Sequence, residues 1–569
     1  MSETTKVYED RQILLDAQQR GGVSVLGAFV KLSGPGWLQS AITLGGGSLS
    51  GALFLGVLGG TSMLWLQLVA IIMGVIMLSA ISYVTLSTGK RPFQAINEYI
   101  NPVLGCGWLL ATCAANVIWI MPQFSLSYDA LSKNLISGLA DETQPKLIVS
   151  FILFALAFAL VILNTRGGPA AKLFDWFLKA LVGMVVICFF GVVVYLFMKS
   201  GLPINAIVEG FIPNLNQWNE PTGIVADILS RVSADAQAFW RHRIISQQRD
   251  VMIGAAATAV GINMTFLLPY SMLARGWDKP FRGLARFDLS TGMAIPYIVV
   301  TSCVVIAASA SFHGQADEAL LSTDPAVMQT SSIFKGARQD LEARVQMDME
   351  GDAWVSASEV ERIDAIAKLS EDDKLLASTL VKRNAFQLSQ SLEPLLGAQL
   401  ANIVFGLGVL GMGFSTIIIL MLINGYVFRE LAPESMRDVA HIVGCIVAGV
   451  SGVIWPYVWA KPDQQVWLGI VASTFGAMLL PVAYITFLFM MNSRRLMGEE
   501  KPTGIVMAIW NVLMGASVLG ALVAAGSSMW QKAQDPTAGP VVIAIACFFI
   551  AMVVVGFAAR PIHPSVDSD

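Results

Sequence analysis

The chain has 569 residues, 55% of them hydrophobic and only 13% charged, with a formal net charge of −4. About a quarter of a soluble globular protein is charged, so a soluble enzyme and a nucleic-acid-binding protein are both excluded. The apolar residues gather into runs of about 20 or more, long enough to cross roughly 30 Å of hydrocarbon, and these runs are apolar all round rather than along one stripe.

In chain order, residues 1–30 read as a cytoplasmic tail, polar and charged from Met1 to about Arg20, without a cleavable signal peptide. About twelve transmembrane helices follow, near 31–58, 61–88, 104–131, 147–164, 174–198, 252–275, 287–312, 397–427, 438–460, 466–491, 503–525 and 538–558. Residues 559–569 form a second short tail. Lys90, Arg91, Arg166, Lys172, Arg275, Lys279, Arg282, Arg286, Arg429, Arg437, Arg494, Arg495 and Lys501 collect on one side. The short loops opposite hold only Lys133, Lys146, Lys461 and Lys532. The positive-inside rule then places both termini in the cytoplasm, as expected for an integral protein of a bacterial inner membrane. All six cysteines (Cys106, Cys113, Cys188, Cys303, Cys445 and Cys547) lie in or beside apolar segments without a CxxC pair, so neither a disulfide framework nor a zinc site is suggested.

Two polar stretches interrupt the rhythm, both on the outer side. Residues 199–251 read as a loop holding a re-entrant or surface helix that ends in Arg241-His242-Arg243. Residues 313–396 carry 15 Asp and Glu against 8 Lys and Arg and are expected to form a small helical subdomain.

The first span contains Gly34-Pro35-Gly36-Trp37-Leu38-Gln39-Ser40-Ala41-Ile42-Thr43-Leu44-Gly45-Gly46-Gly47-Ser48. Three successive glycines in a helix cost about 1 kcal/mol each against alanine. The chain is thus free to leave helical geometry, and its unpaired backbone groups must then face protein or a water-filled cavity. Close packing of helices through small residues is the plainer reading of a single glycine; a triple followed by Ser48 points to a site. The sixth span repeats the feature in Gly261-Ile262-Asn263-Met264-Thr265-Phe266-Leu267-Leu268-Pro269-Tyr270-Ser271, where Pro269 weakens bonding back to the residues around Thr265. Interrupted helices at matching places in two halves mark an inverted-repeat carrier with its substrate at the midplane.

The stretch Gly34–Ser48 resembles the first helix of the NRAMP divalent-metal transporters, whose pattern is GPGFLVSIAYLDPGN. The resemblance continues in Leu86-Ser87-Thr88-Gly89-Lys90, Ala285-Arg286-Phe287-Asp288, Ser415-Thr416 and Leu480-Pro481 through Arg494-Arg495-Leu496-Met497-Gly498-Glu499. It implies an all-α, LeuT-like fold of two inverted five-helix repeats plus two extra helices. The metal-binding Asp and Asn of the family pattern fall on Gly45 and Ser48. Its sixth-helix Met-Pro-His type motif corresponds to Met264-Thr265-Phe266, its third-helix acids to Trp119 and Pro122, and its sixth-helix histidine lies near Ser271.

A divalent cation asks for several hard oxygens, carboxylates among them, and a transition metal for His, Cys or carboxylate. Neither broken helix has one near its middle; Asp129, Asp175 and Lys179 fall near membrane faces. Gly45, Gly46 and Gly47 expose amides instead, and a half-helix starting near Ser48 offers its positive end to a carboxylate or another small anion. Gly45, Gly46, Gly47, Ser48, Asn263, Met264 and Thr265 are therefore the candidate substrate site of a secondary carrier for a small solute other than a dehydrated transition metal. A divalent cation of the magnesium or manganese type, kept hydrated, is the first alternative. A non-transporting sensor or scaffold with a calcium-responsive outer loop is the second.

That loop is Asp348-Met349-Glu350-Gly351-Asp352-Ala353-Trp354-Val355-Ser356-Ala357-Ser358-Glu359. Its oxygens fall at EF-hand positions, so Asp348, Glu350, Asp352, the Trp354 carbonyl, Ser356 and Glu359 are the candidate calcium ligands. Ala353 stands where the motif needs glycine, which weakens the match.

Overall fold

A computed structural model describes residues 3–136, 138–165, 168–200, 203–349, 353–458, 480–534 and 539–558. Hydrocarbon cannot bond a free amide or carbonyl, so each span closes its hydrogen bonds internally as helix. Among the described residues eight helices are long and apolar enough to cross a membrane, or nine with a bent pair counted as one span.

Two helices precede the bundle, α1 (Glu3–Arg20) and α2 (Gly22–Leu32). The bent pair is α3 (Pro35–Thr43) and α4 (Gly46–Gly59), inclined by 53° across Leu44 and Gly45. Then come α5 (Trp65–Thr88), α6 (Pro102–Asp129), α7 (Thr143–Thr165) and α8 (Gly168–Ser200). A second interrupted pair follows, α9 (Ala234–Thr258) and α10 (Ile262–Ala274), and then α11 (Lys279–Phe312). Beyond the insertion helices α12 (Phe334–Asp348), α13 (Glu359–Ala367) and α14 (Glu371–Leu380), the bundle resumes. It continues with α15 (Ala398–Leu431), α16 (Arg437–Val453), α17 (Leu480–Asn492), α18 (Gly504–Ala533) and α19 (Gly539–Ala558). The N-terminal part of the span expected at 466–491, and the tail at 559–569, lie outside the described residues.

Burial sorts these helices. In α15 78% of the most apolar window is inside the protein, against 22% in α7 and 28% in α18. The first is a central column, whereas the other two turn most of their side chains outward, as lipid-facing helices do. The half-helix α3 packs on α11 where that helix widens into a π turn over Leu289–Ala294. At Gly36 the two backbones come so close that a Cβ would stand 2.1 Å from the Asp288 carbonyl oxygen, and Gly36 N donates to the Asp288 carboxylate at 2.6 Å.

Two expectations change. The helix read as ending at Arg243 runs on to Thr258, so one helix links that polar stretch to the break in the sixth span. The sixth span breaks at Ala259–Gly261 and not at Pro269, which sits inside an unbroken α10. Gly261 is extended (φ −78°, ψ 163°) and leads into the helix; a proline costs a helix one amide, whereas an extended residue ends the ladder outright.

Residues 313–396 fold over a second apolar core. It holds Leu341, Val345, Ile366 and Leu376 from the insertion, Trp240 and Ile244 from α9, and Phe54 and Leu58 from α4. The insertion thus packs on both broken helices, against Phe54 and Leu58 of α4 and Trp240 and Ile244 of α9. Its charges are paired: Asp373 accepts from Trp240 Nε1 at 2.7 Å and from Arg344 Nε at 3.3 Å. The buried Lys374 donates to the carbonyls of Ser322 and Ala367 at 2.7 and 2.9 Å.

Candidate substrate site at the helix breaks

The breaks put two helix starts and two helix ends at the centre of the bundle. Gly45 is extended (φ −91°, ψ −178°) and precedes α4; a Cβ there would stand 2.7 Å from Thr416 Oγ1 of α15. The first amides of a helix have no acceptor inside it. That of Gly46 donates to Gln123 Oε1 of α6 at 3.0 Å. Trp119, one turn earlier on α6, flanks Gly47, 3.8 Å from where a Cβ would lie. The Ser48 hydroxyl turns back to donate to the Thr43 carbonyl at 2.5 Å.

On the other break, Asn263 Oδ1 accepts from the Met264 amide in the first turn of α10 at 3.0 Å. Met264 faces α3: its carbonyl accepts from Gln39 Nε2 at 3.2 Å, and its sulfur lies 3.6 Å from the Thr43 hydroxyl. Thr265 donates to the Ile262 carbonyl and accepts from Trp108 Nε1 at 2.9 Å. The side chains of Ser48, Asn263, Met264 and Thr265 are all buried.

The two expected half-sites are thus joined, and residues not singled out from the sequence join them. Gln39 and Thr43 bridge α3 to Met264, Gln123 and Trp108 brace the breaks from α6, and Ser415 and Thr416 brace α3 from α15. The signal that could have found Gln39 is its polarity in mid-span, one turn before Thr43. No sequence pattern marks Gln123 as the partner of Gly46.

The carbonyls around the breaks are largely engaged. That of Ala41 accepts from Ser415 Oγ at 2.8 Å and Thr416 Oγ1 at 3.2 Å, that of Thr43 from Ser48, that of Ile262 from Thr265 and that of Met264 from Gln39. No group of three or more His, Cys, Asp or Glu side chains placed to hold a metal ion occurs among the described residues. The charges expected near the membrane faces are tied up at the base of α3. Asp175 pairs with Arg275 at 2.7 Å, and Lys179 donates to the Ser33 carbonyl at 3.0 Å.

The model of the natural resistance-associated macrophage protein-like (Nramp) family matches residues 36–334 and 374–531. The chain belongs to the Nramp family. Solved structures of a manganese transporter from Eremococcus coleocola share the fold. One, in complex with an aromatic bis-isothiourea substituted compound, has TM-score 0.61 at 14% identity, over 95% of this chain and 94% of that one. A mutant of the same transporter has TM-score 0.60 at 13% identity over the same shares of the two chains. No individually curated protein sequence matches. The Nramp fold is LeuT-like, so α3–α8 and α9–α17 are its two inverted five-helix repeats and α18 and α19 the additional helices. The two breaks occupy corresponding places in the repeats.

The part of the Nramp-family chain left out between the matched segments, residues 335–373, holds most of α12, all of α13 and the acidic loop. Helices flank that loop as an EF-hand requires, but its described oxygens have other partners. Asp348 pairs with Arg344 at 2.7 Å, Glu359 with Arg338, and the Trp354 carbonyl accepts from Arg362 at 3.0 Å. Ala353–Ser356 is a helical turn, and Glu350 and Asp352 lie outside the described residues. The observed arrangement is a helix junction held by arginines. Arg338, beside Glu342 and Glu359, is held above the ordinary arginine range by their hydrogen bonds.

Proposed function

We propose that this Nramp-family chain is a secondary carrier for a small solute other than a dehydrated transition metal, bound between the two breaks. Its binding groups are the amides at Gly45, Gly46, Gly47 and Ser48, with Asn263, Met264 and Thr265 opposite. The observation that carries the reading is the state of the break carbonyls. Those of Ala41, Thr43, Ile262 and Met264 already accept from the protein's own hydroxyls and from Gln39. The amides that start α4 beyond Gly46 draw no acceptor from their helix. Unpaired amides at the positive end of a helix favour a ligand that accepts hydrogen bonds and carries negative charge.

The second reading, a divalent cation that keeps its water, is favoured by family membership and by fold neighbours that are manganese transporters. Met264, whose sulfur faces α3, is the soft ligand it would use. In either reading the chain lies in a bacterial inner membrane with both termini cytoplasmic and residues 313–396 outside.

Uptake into proteoliposomes decides between them. The expected result is uptake of small carboxylate-bearing solutes, with no accumulation of Mn²⁺ or Mg²⁺. Uptake of either cation that Ser48→Ala or Asn263→Ala abolishes overturns the proposal. Absence of flux over a broad solute panel overturns it in favour of a sensor.

A further inference from the structure

Buried polar groups in folded proteins nearly always find a partner, so those that do not point to something that binds there. Two lie on the walls of the break site. Gln39 is fully buried in α3 and spends its Nε2 on the Met264 carbonyl, leaving Oε1 with no partner among the described residues. Asn116 is fully buried in α6, and neither Oδ1 nor Nδ2 has a partner there.

Helical geometry sets Asn116 on the site face of α6. Residues spaced by three, four, seven or eight share a face. Asn116 lies eight places after Trp108, which bonds Thr265 of α10. It lies seven before Gln123, which bonds Gly46 at the start of α4. Three places on, Trp119 flanks Gly47. Asn116 therefore stands between the two points at which α6 touches the breaks. Gln39 stands on the seam between α3 and α10, bonded to Met264.

The backbone adds a directional field. The carbonyl end of α3 and the amide end of α4 both terminate at the break, one carrying partial negative and the other partial positive charge. A simple anion meets only one of them, and so does a simple cation. A molecule with both charges meets both, and it matches the side chains as well: two amide oxygens for a donor and helix amides for an acceptor.

We infer that the site takes a small neutral zwitterion of the amino-acid class. Its carboxylate lies on the Gly47 and Ser48 amides at the start of α4, and its ammonium group donates to Gln39 Oε1 and Asn116 Oδ1. The assignment rests on the carrier reading above and adds to it Gln39 and Asn116 as the residues that read the cationic half.

The test uses the full-length chain with alanine, acetate, methylammonium and Mn²⁺ as probes, read by thermal shift in detergent and by counterflow in proteoliposomes. Alanine is expected to stabilise and exchange, with acetate and methylammonium each at least tenfold weaker. Asn116→Leu keeps the shape and removes both unpaired atoms, so the unliganded variant unfolds at the same temperature or higher while alanine affinity falls at least tenfold. A purely structural asparagine would give the opposite pattern, lower stability with unchanged affinity, and that overturns the inference. So does acetate binding as tightly as alanine, which leaves the carrier reading intact. Mn²⁺ exchange lost in Ser48→Ala, without alanine exchange, overturns both.

Discussion

The membrane centre and the outer insertion solve the problem of buried polarity in opposite ways. Among the described residues the centre holds no charged side chain at the breaks and leaves the Gln39 and Asn116 amides partly or wholly unpaired. The insertion buries full charges and pairs them, Arg344 and Trp240 on Asp373 and Lys374 on two helix-end carbonyls. Burial pushes Lys374 below the ordinary lysine range and Arg383 down to about 10. A region that must bind and release a solute keeps unspent hydrogen-bonding capacity. The insertion spends most of its capacity internally, with one buried nitrogen of Arg383 left over. The link between the two is covalent, because α9 runs from the insertion core at Trp240 down to the sixth break.

The largest effect that would sharpen this contrast lies in the insertion. Asp373→Ala leaves Arg344 buried with only its surface partner Asp348, and loss of one partner of a buried pair costs about 3–5 kcal/mol. Hydrogen exchange in the full-length protein should show α12 and α14 opening while α15 stays protected. Equal loss of protection in α15 would break the distinction between the regions. Next comes Gly36→Ala, which drives a methyl into the Asp288 carbonyl 2.1 Å away. Overpacking of this kind costs about 1–3 kcal/mol, and the thermal midpoint in detergent should fall accordingly.

Gln123→Leu should cost about 1 kcal/mol by removing the acceptor of the Gly46 amide. Because that amide is then free for a ligand, the loss should shrink when a carboxylate-bearing solute is present; an equal loss with and without solute would show that Gln123 is only packing. The smallest effect is an acid response at the start of α13. Glu361 lies below its ordinary value of 4.5, chiefly through the Ser358 backbone amide and then its hydroxyl. A depressed carboxylate stabilises fully above that ordinary value, and the contribution is lost as pH falls through the lower folded one. Protection factors at the α13 amides, taken relative to the intrinsic rate at each pH, should therefore fall below pH 4.5, and Glu361→Gln should abolish that pH dependence.

Much of this architecture is local in origin and was legible in the chain. The spans follow from the length of apolar runs, and the first break from Gly45-Gly46-Gly47, because both depend on a few consecutive residues. The Nramp-type residues around Gly34–Ser48 carried the fold with them. In the acidic loop Asp348 and Glu359 stand at calcium-ligand positions, and arginines brought by neighbouring turns and helices engage them, which the spacing alone does not reveal.

By itself, then, the sequence determined that the chain is a bundle of membrane helices with an interrupted first span, since hydrocarbon imposes helix on any long apolar run and glycine relaxes it. Only the tertiary structure decided where the sixth span breaks and what lines the space between the breaks. Gln39 meets Met264 across 225 positions and Gly46 meets Gln123 across 77. Whether a buried amide is satisfied or left over depends on such distant partners, and no local pattern encodes them.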